Sequence, residues 1–302
     1  VSEGARSPQA VRSSVTDHLE KHAKASGQSF NVAKRRFVMS RFLARVFAVD
    51  PQRWILKGGV GMMVRLPESR YSRDIDIMAV SGTVDPVADL RHAVGQHIDH
   101  FRFDIGPATA LSNGKGATVT VTARIGTNTF ETFSIDLVDW RRPLVGPVEH
   151  HTIPRVVDTD DFPPETTVQL YPLADQIADK ICAMYELHGA VVQRSSGRYR
   201  DLVDLLLISM FLQIELAPVV EAVERERVLR GIERLPATLE SPGPDWDNGW
   251  RKEAQRSPLP EEHHVLDAGL YAAGRCYNRV LAARPTVEHS ARWNPGRGVW
   301  ED

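Results

Sequence analysis

Two short stretches near the front of the chain hold residues that could do chemistry together. In RYSRDIDI, residues 70–77, Asp74 and Asp76 flank Ile75. Side chains two apart on a strand share a face, so a strand here presents two carboxylates side by side. Like charges that close repel, and a divalent cation or a raised pKa must offset the repulsion. Upstream, in LKGG, Gly58 and Gly59 let backbone approach a ligand, and a helix starting there favours phosphate at its N-terminus. A phosphate cradle followed by a strand of paired carboxylates is the layout of a metal-dependent nucleotidyl-transfer site.

A third carboxylate lies further on. Asp136 in SIDLVD sits among apolar neighbours, where a charge is costly to bury unless it is paired or binds metal. Asp139, at the end of the same predicted strand, is a weaker rival for that place. Three carboxylates on adjacent strands could hold one or two Mg²⁺ ions, with Mn²⁺ as a substitute. Such ions bridge triphosphate oxygens, activate an attacking hydroxyl and stabilise the leaving pyrophosphate. In the second half, Lys180 edges an apolar stripe, and Asp201 and Asp204 fall in the first turn of a predicted helix. Acidic residues there also serve the helix dipole, and a lysine at a stripe's edge also snorkels to solvent. Residue chemistry alone leaves those three undecided.

The elements that must position these groups follow from periodicity. Helices are predicted over Val15–Ala25 and Val32–Val49, the second capped by Asn31, with residues 1–10 frayed. Trp54–Val80 reads as strand, glycine-opened helix, loop and strand. A helix over Val84–Asp99 precedes strands at Phe101–Ile105, Thr118–Ile125 and Thr129–Trp140, the first two separated by a turn at Asn113–Gly116. Residues 141–170 are rich in Pro, Asp and Thr and read as a connection to a second, helical lobe. Its helices run from Pro172 to Gly189, Tyr199 to Leu212, Glu215 to Leu235 and Glu261 to Ala283, with a loop over 239–248. The expected fold is α/β (α+β): a mixed sheet with helices over residues 1–165, and a helical domain over 166–302 that completes the active-site cleft.

Composition is that of an ordinary globular protein, 42% hydrophobic and 25% charged. No run approaches a membrane span, no signal peptide is evident, and Cys182 and Cys276 read as reduced packing residues of a cytoplasmic protein. The net charge of −2 argues against wholesale coating of nucleic acid. It conceals nine Lys/Arg against four Asp/Glu in residues 1–50, a local +5. Lys34, Arg35, Arg36, Arg41 and Arg45 belong to that basic segment, on opposite sides of the turn and so not a single patch, as solvated residues or as phosphate contacts.

Taken together, LKGG (56–59), RYSRDIDI (70–77), SIDLVD (134–139), YPLADQIADKICAM (171–184) and RSSGRYRDLVDLLLI (194–208) closely resemble the AbiEii/AbiGii-type nucleotidyltransferase toxins. That family, which includes the mycobacterial MenT toxins, lies within the polymerase-β-like nucleotidyltransferase superfamily. The resemblance spans about residues 15–210 in the family's order. It implies that Gly58 and Gly59 receive the nucleotide phosphates, with Lys57 beside them, and that Asp74, Asp76 and Asp136 bind metal. It further implies that Lys180 meets the triphosphate and that Asp201 is the acidic residue of the last motif. Arg70 and Ser72 are phosphate-facing by their place in the loop. Val60 and Gly61 depart from the pattern, since superfamily members often carry Ser or Thr there.

The resemblance implies a toxin that moves nucleotide from an NTP to an acceptor hydroxyl, most directly the 3′ end of tRNA, blocking translation. It also implies a cognate antitoxin, and the chain is expected to act as a monomer. Arg194, Arg198 and Arg200 could add phosphate contacts for such an acceptor. Two rivals stand beside this reading. One is the same chemistry on a protein or a small molecule such as an antibiotic; the other is a module that only binds nucleotide or partner.

Overall fold

The computed structural model describes residues 6–67, 69–80, 84–111, 116–138, 143–153, 155–157, 162, 165–189, 193–284 and 290–302. The chain divides into two compact units. Unit 1 comprises residues 1–65, 71–142 and 148–170, and unit 2 comprises residues 66–70, 143–147 and 171–302.

Unit 1 begins with α1 (Pro8–Ser26) and α2 (Phe30–Val49). Apolar spacing predicts that α1 starts at Val15. It starts at Pro8 because the Ser7 hydroxyl accepts from the Ala10 N–H at 3.2 Å, and because Val11 already joins the buried stripe Val11, Val15, Leu19 and Ala23. Gly27, at φ 67°, ends it in the left-handed region. For α2 the cap is Ser29, accepting from the Val32 N–H, and not Asn31.

The cations expected on α2 are largely consumed inside the unit. Arg41 Nε and Arg45 Nη2 bond Asp99 at 2.9 and 2.6 Å, and Asp99 and Arg45 have no exposed side chain. Arg45 also donates to the Phe101 carbonyl at 2.7 Å. A buried guanidinium is tolerable only with such partners. Lys34 and Arg35 both reach Glu131 at 3.0 Å, and Arg36 is partly buried, which holds its pKa below the usual arginine value.

Next come β1 (Trp54–Lys57), α3 (Gly58–Arg65), β2 (Ile75–Ala79) and α4 (Pro86–Val94). Helix α4 is shorter than Val84–Asp99. Asp85 caps it by accepting from the Val87 and Ala88 N–H groups, and it closes at Gly95. Then follow β3 (Phe101–Ala110), β4 (Gly116–Ile125), β5 (Asn128–Val138), β6 (Glu149–Ile153) and β7 (Thr166–Leu170). The last two correct the reading of 141–170 as a bare connection. Among the described residues these strands form one mixed sheet in the order β3-β4-β5-β2-β1-β7-β6. It is antiparallel except where β2 pairs with β5 and β1 with β7.

Alternation along these strands sets the two faces. Trp54, Leu56, Ile75, Ile77, Ile135 and Leu137 belong to the core with α1 and α2. There Phe37 and Phe101 pack edge to face at 5.9 Å, and Phe42 and Phe133 at 5.6 Å. The intervening residues Lys57, Asp76 and Asp136 therefore lie on the opposite face.

Unit 2 is built from α5 (Leu173–Tyr185), α6 (Tyr199–Phe211), α7 (Leu216–Leu229), α8 (Trp246–Ala254) and α9 (Leu266–Ala282). Helix α6 is buried from Asp201 to Ser209. Its carbonyls are tied down by the Tyr277 hydroxyl, donating to Leu205 at 2.9 Å, and by Trp293 Nε1, donating to Ser209 at 2.7 Å. Several boundaries differ from expectation. Helix α5 ends before Gly189 and α7 before Leu235, while α8 begins within the predicted 239–248 loop. The tail forms β9 (Arg292–Asn294) and β10 (Val299–Glu301), which join β8 (Ile214–Glu215) in a three-stranded sheet. Cys182 and Cys276 are buried and unbonded to each other. Among the described residues no helix is long and apolar enough to cross a membrane.

Candidate active site

The sheet register lines up one polar row. Lys57 on β1 stands opposite Asp76 on β2, Asp76 beside Asp136 on β5, and Asp136 opposite Thr118 on β4. Residues paired this way point to the same face, so four polar side chains from four strands meet at one level of the sheet. All four are partly exposed. The Thr118 hydroxyl donates to Asp136 Oδ1 at 2.6 Å, a short bond of the charge-assisted kind.

Gly58 abuts this row and Gly59 abuts Ser72, and a side chain on either would collide with that neighbour. Gly58 sits at φ 63°, and a Cβ on it would overlap the Asp76 carboxylate. A Cβ on Gly59 would overlap the Ser72 side chain. Ser72 is held above the glycines by its N–H, which donates to Met63 Sδ at 3.3 Å, while its hydroxyl donates to the Asp74 carbonyl at 3.4 Å. Asp74 stands one residue before β2 begins and is exposed. Asp139 lies outside the described residues, as does most of the predicted turn at 113–116.

Unit 1 thus brings together Lys57, Gly58, Gly59, Ser72, Asp76 and Asp136, with Asp74 at the open end of the strand. A donor set of carboxylate oxygens alone suits a hard cation such as Mg²⁺. Among the described residues no three of His, Cys, Asp and Glu come close enough to enclose an ion. That is compatible with Mg²⁺ chemistry, in which one or two carboxylates are ordinarily supplemented by water and substrate phosphates.

The remaining predicted residues lie in unit 2, in a different setting. Lys180 on α5 donates to Asp201 Oδ1 at 3.1 Å and to Asp204 Oδ2 at 2.5 Å. Arg70 faces the same Asp204, with Nε 2.9 Å from Oδ1 and Nη2 donating to Oδ2 at 3.0 Å. Burial is the largest influence on Lys180 and would lower its pKa. The Asp204 and Asp201 charges outweigh it, so the ammonium is held above its ordinary value. Arg200 bonds Glu253 at 3.0 Å, and Arg198 is exposed, 4.0 Å from Asp201.

Two side chains acquire importance that sequence reasoning did not assign. Asp204, readable as a helix-dipole residue, is fully buried and joins Lys180 to Arg70. Thr118 looked like one of several alternating threonines, and only the strand register singles it out.

Comparison with solved structures finds MenT4, a nucleotidyltransferase toxin from Mycobacterium tuberculosis, at 17% identity and a TM-score of 0.50, covering 84% of this chain and 93% of that one. JHP933 from Helicobacter pylori aligns at 13% identity and a TM-score of 0.40, covering 67% of this chain and 81% of that one. No curated protein matches. The MenT4 likeness extends to the fold, a mixed α/β sheet with a helical unit. The model of a family described as nucleotidyl transferase AbiEii toxin, type IV toxin–antitoxin system, matches residues 41–272, a span that includes every glycine, carboxylate and lysine of the two clusters. The chain belongs to the AbiEii nucleotidyltransferase toxin family of type IV toxin–antitoxin systems.

Proposed function

We propose that this toxin transfers a nucleotide from an NTP to the 3′-terminal hydroxyl of tRNA, blocking translation, and that a cognate antitoxin restrains it. The observation that carries the reading is the Asp76–Asp136 pair, held side by side next to a glycine that only an unsubstituted backbone could occupy. The acceptor oxygen attacks the α-phosphorus, a P–O bond to the β-phosphate breaks, and pyrophosphate leaves. Held by Asp76 and Asp136, with Asp74 at the open end of the strand, Mg²⁺ (or Mn²⁺) would supply Lewis acidity to the hydroxyl and the leaving group.

The chain's own groups do the positioning. Gly58 and Gly59 at the start of α3 let Asp76 and Ser72 lie against the backbone and offer the phosphates a favourable helix terminus. Ser72 and Lys57 border that space and orient phosphate oxygens. Asp136, with Oδ1 held by Thr118, keeps Oδ2 for the cation, and the proton that the attacking hydroxyl releases passes to solvent water at this partly exposed site. Lys180 and Asp201 enter the reading through family resemblance, Lys180 as the lysine for the triphosphate, and Arg70 enters through its place in the loop before β2.

One observation favours a second acceptor class, a protein or small-molecule hydroxyl. The cations of α2 that would have met an RNA backbone are spent on Glu131 and Asp99. The purified protein is incubated with Mg²⁺ and each α-labelled NTP in turn, with total tRNA or with a tRNA-free lysate. Label on RNA supports the tRNA reading. Label only on protein or small molecules moves the acceptor, and no label anywhere with any NTP overturns transfer itself.

A further inference from the structure

The register between β4 and β5 makes one residue a partner of the proposed metal site that its position in the chain does not announce. The two strands meet across the tight turn at Gly126–Thr127, with Ile125 opposite Asn128 and Arg124 opposite Thr129. Continued without interruption, that register would set Asp136 opposite Ala117 and turn Thr118 to the core face. A bulge intervenes: Ala123 pairs with Glu131, leaving Phe130 as the extra residue. The one-residue shift turns the partner of Asp136 into Thr118.

We infer that Thr118 is a positioning residue for metal binding, its hydroxyl fixing Asp136 so that Oδ2 faces the cation. This rests on the proposed transferase site. At 2.6 Å, Thr118 occupies Oδ1 with a donated proton, so rotation of the carboxylate would break a charge-assisted bond. A β-branched residue on a strand has few χ1 choices, so the hydroxyl is itself held in place. Asp136 then presents one committed oxygen and one available oxygen beside Asp76. Donors of this kind behind a ligating carboxylate typically alter metal affinity or activity by roughly 10–100-fold when removed.

The test is Mn²⁺ binding to the full-length protein, followed by electron paramagnetic resonance of the free ion, with and without NTP, in wild type, T118V, T118S and D136N. Thr118→Val keeps the shape and strand preference and removes the hydroxyl, whereas Thr118→Ser keeps the hydroxyl. Thermal melts confirm that each variant is folded, and Thr118→Ala substitutes if the valine variant is not. The expected result is loss of Mn²⁺ affinity in T118V of about tenfold or more, with T118S close to wild type. Wild-type affinity in T118V alongside a weakened D136N would overturn the role of Thr118 and leave the metal site standing. Equal losses in T118V and T118S would also overturn it, since the hydroxyl would then not be the operative group. Equal Mn²⁺ binding by wild type and D136N would overturn the metal role of Asp136, and with it this inference.

Discussion

The two clusters of ionisable residues are built on opposite terms. In unit 1, the row sets Lys57 beside Asp76 and Asp136, all partly exposed, with Asp74 exposed at the open end of the strand. In unit 2, Lys180 and Arg70 balance Asp201 and Asp204, and all but Arg70 are buried. The second arrangement satisfies itself: each charge has an opposite charge within bonding distance, as burial requires. The first keeps its carboxylates open to solvent on one face of the sheet, an arrangement suited to a cation. Removing a charge from the row should therefore impair function more than stability, and removing Asp204, the carboxylate shared inside the buried cluster, should do the reverse.

The largest expected effect is on transfer. Asp76→Asn should lower it by roughly 10²–10³-fold, the scale for losing one charge-stabilising group, while the thermal melt moves little because the residue is only partly buried. Gel quantification of labelled product beside a melting curve checks both halves. Asp204→Ala should behave oppositely. It leaves Lys180 and Arg70 without their shared carboxylate and should cost about 3–5 kcal/mol in urea unfolding, the usual result of breaking a buried ion pair from one side. A variant that melts like wild type would erase the contrast between the clusters.

Gly58→Ala should affect both properties. A non-glycine residue in the left-handed region costs on the order of 1–3 kcal/mol, and the added methyl must displace Asp76. Stability and transfer should fall together, and retained transfer would mean that the Asp76 position is not critical. The smallest effect is a pH dependence. Lys180 has a raised pKa in the folded state, so its contribution is fully present below the unfolded value near 10.5 and is lost as pH rises through the folded value. The stability difference between wild type and Lys180→Met should stay flat from about pH 7 to 10 and shrink above that. A decline beginning near neutrality would contradict the strong pairing with Asp201 and Asp204.

How much of this could be read from the sequence depends on how local each feature is. Gly58, Gly59, Asp74 and Asp76 fall within one strand–helix–strand stretch, so their spacing sufficed to associate them. The mixed sheet and helical second half were legible from periodicity. Strand β7 was not, because Thr166, Thr167 and Gln169 interrupt its apolar residues in a proline-rich stretch, and only pairing with β1 and β6 makes it a strand. Strands β8, β9 and β10, two or three residues each, are too short for any periodicity. Arg41 and Arg45 looked available because their counter-ion, Asp99, lies more than fifty residues away. Thr118 required a bulge at Phe130 that no turn signal predicts.

The central claim is that the carboxylate row adds nucleotides to tRNA, and intact mass analysis of tRNA from cells expressing this protein tests it most directly. Wild type should yield tRNA heavier by one or more nucleotide monophosphates at the 3′ end, and Asp76→Asn should yield tRNA of unchanged mass. Unmodified tRNA from cells arrested by the wild-type protein would contradict the account.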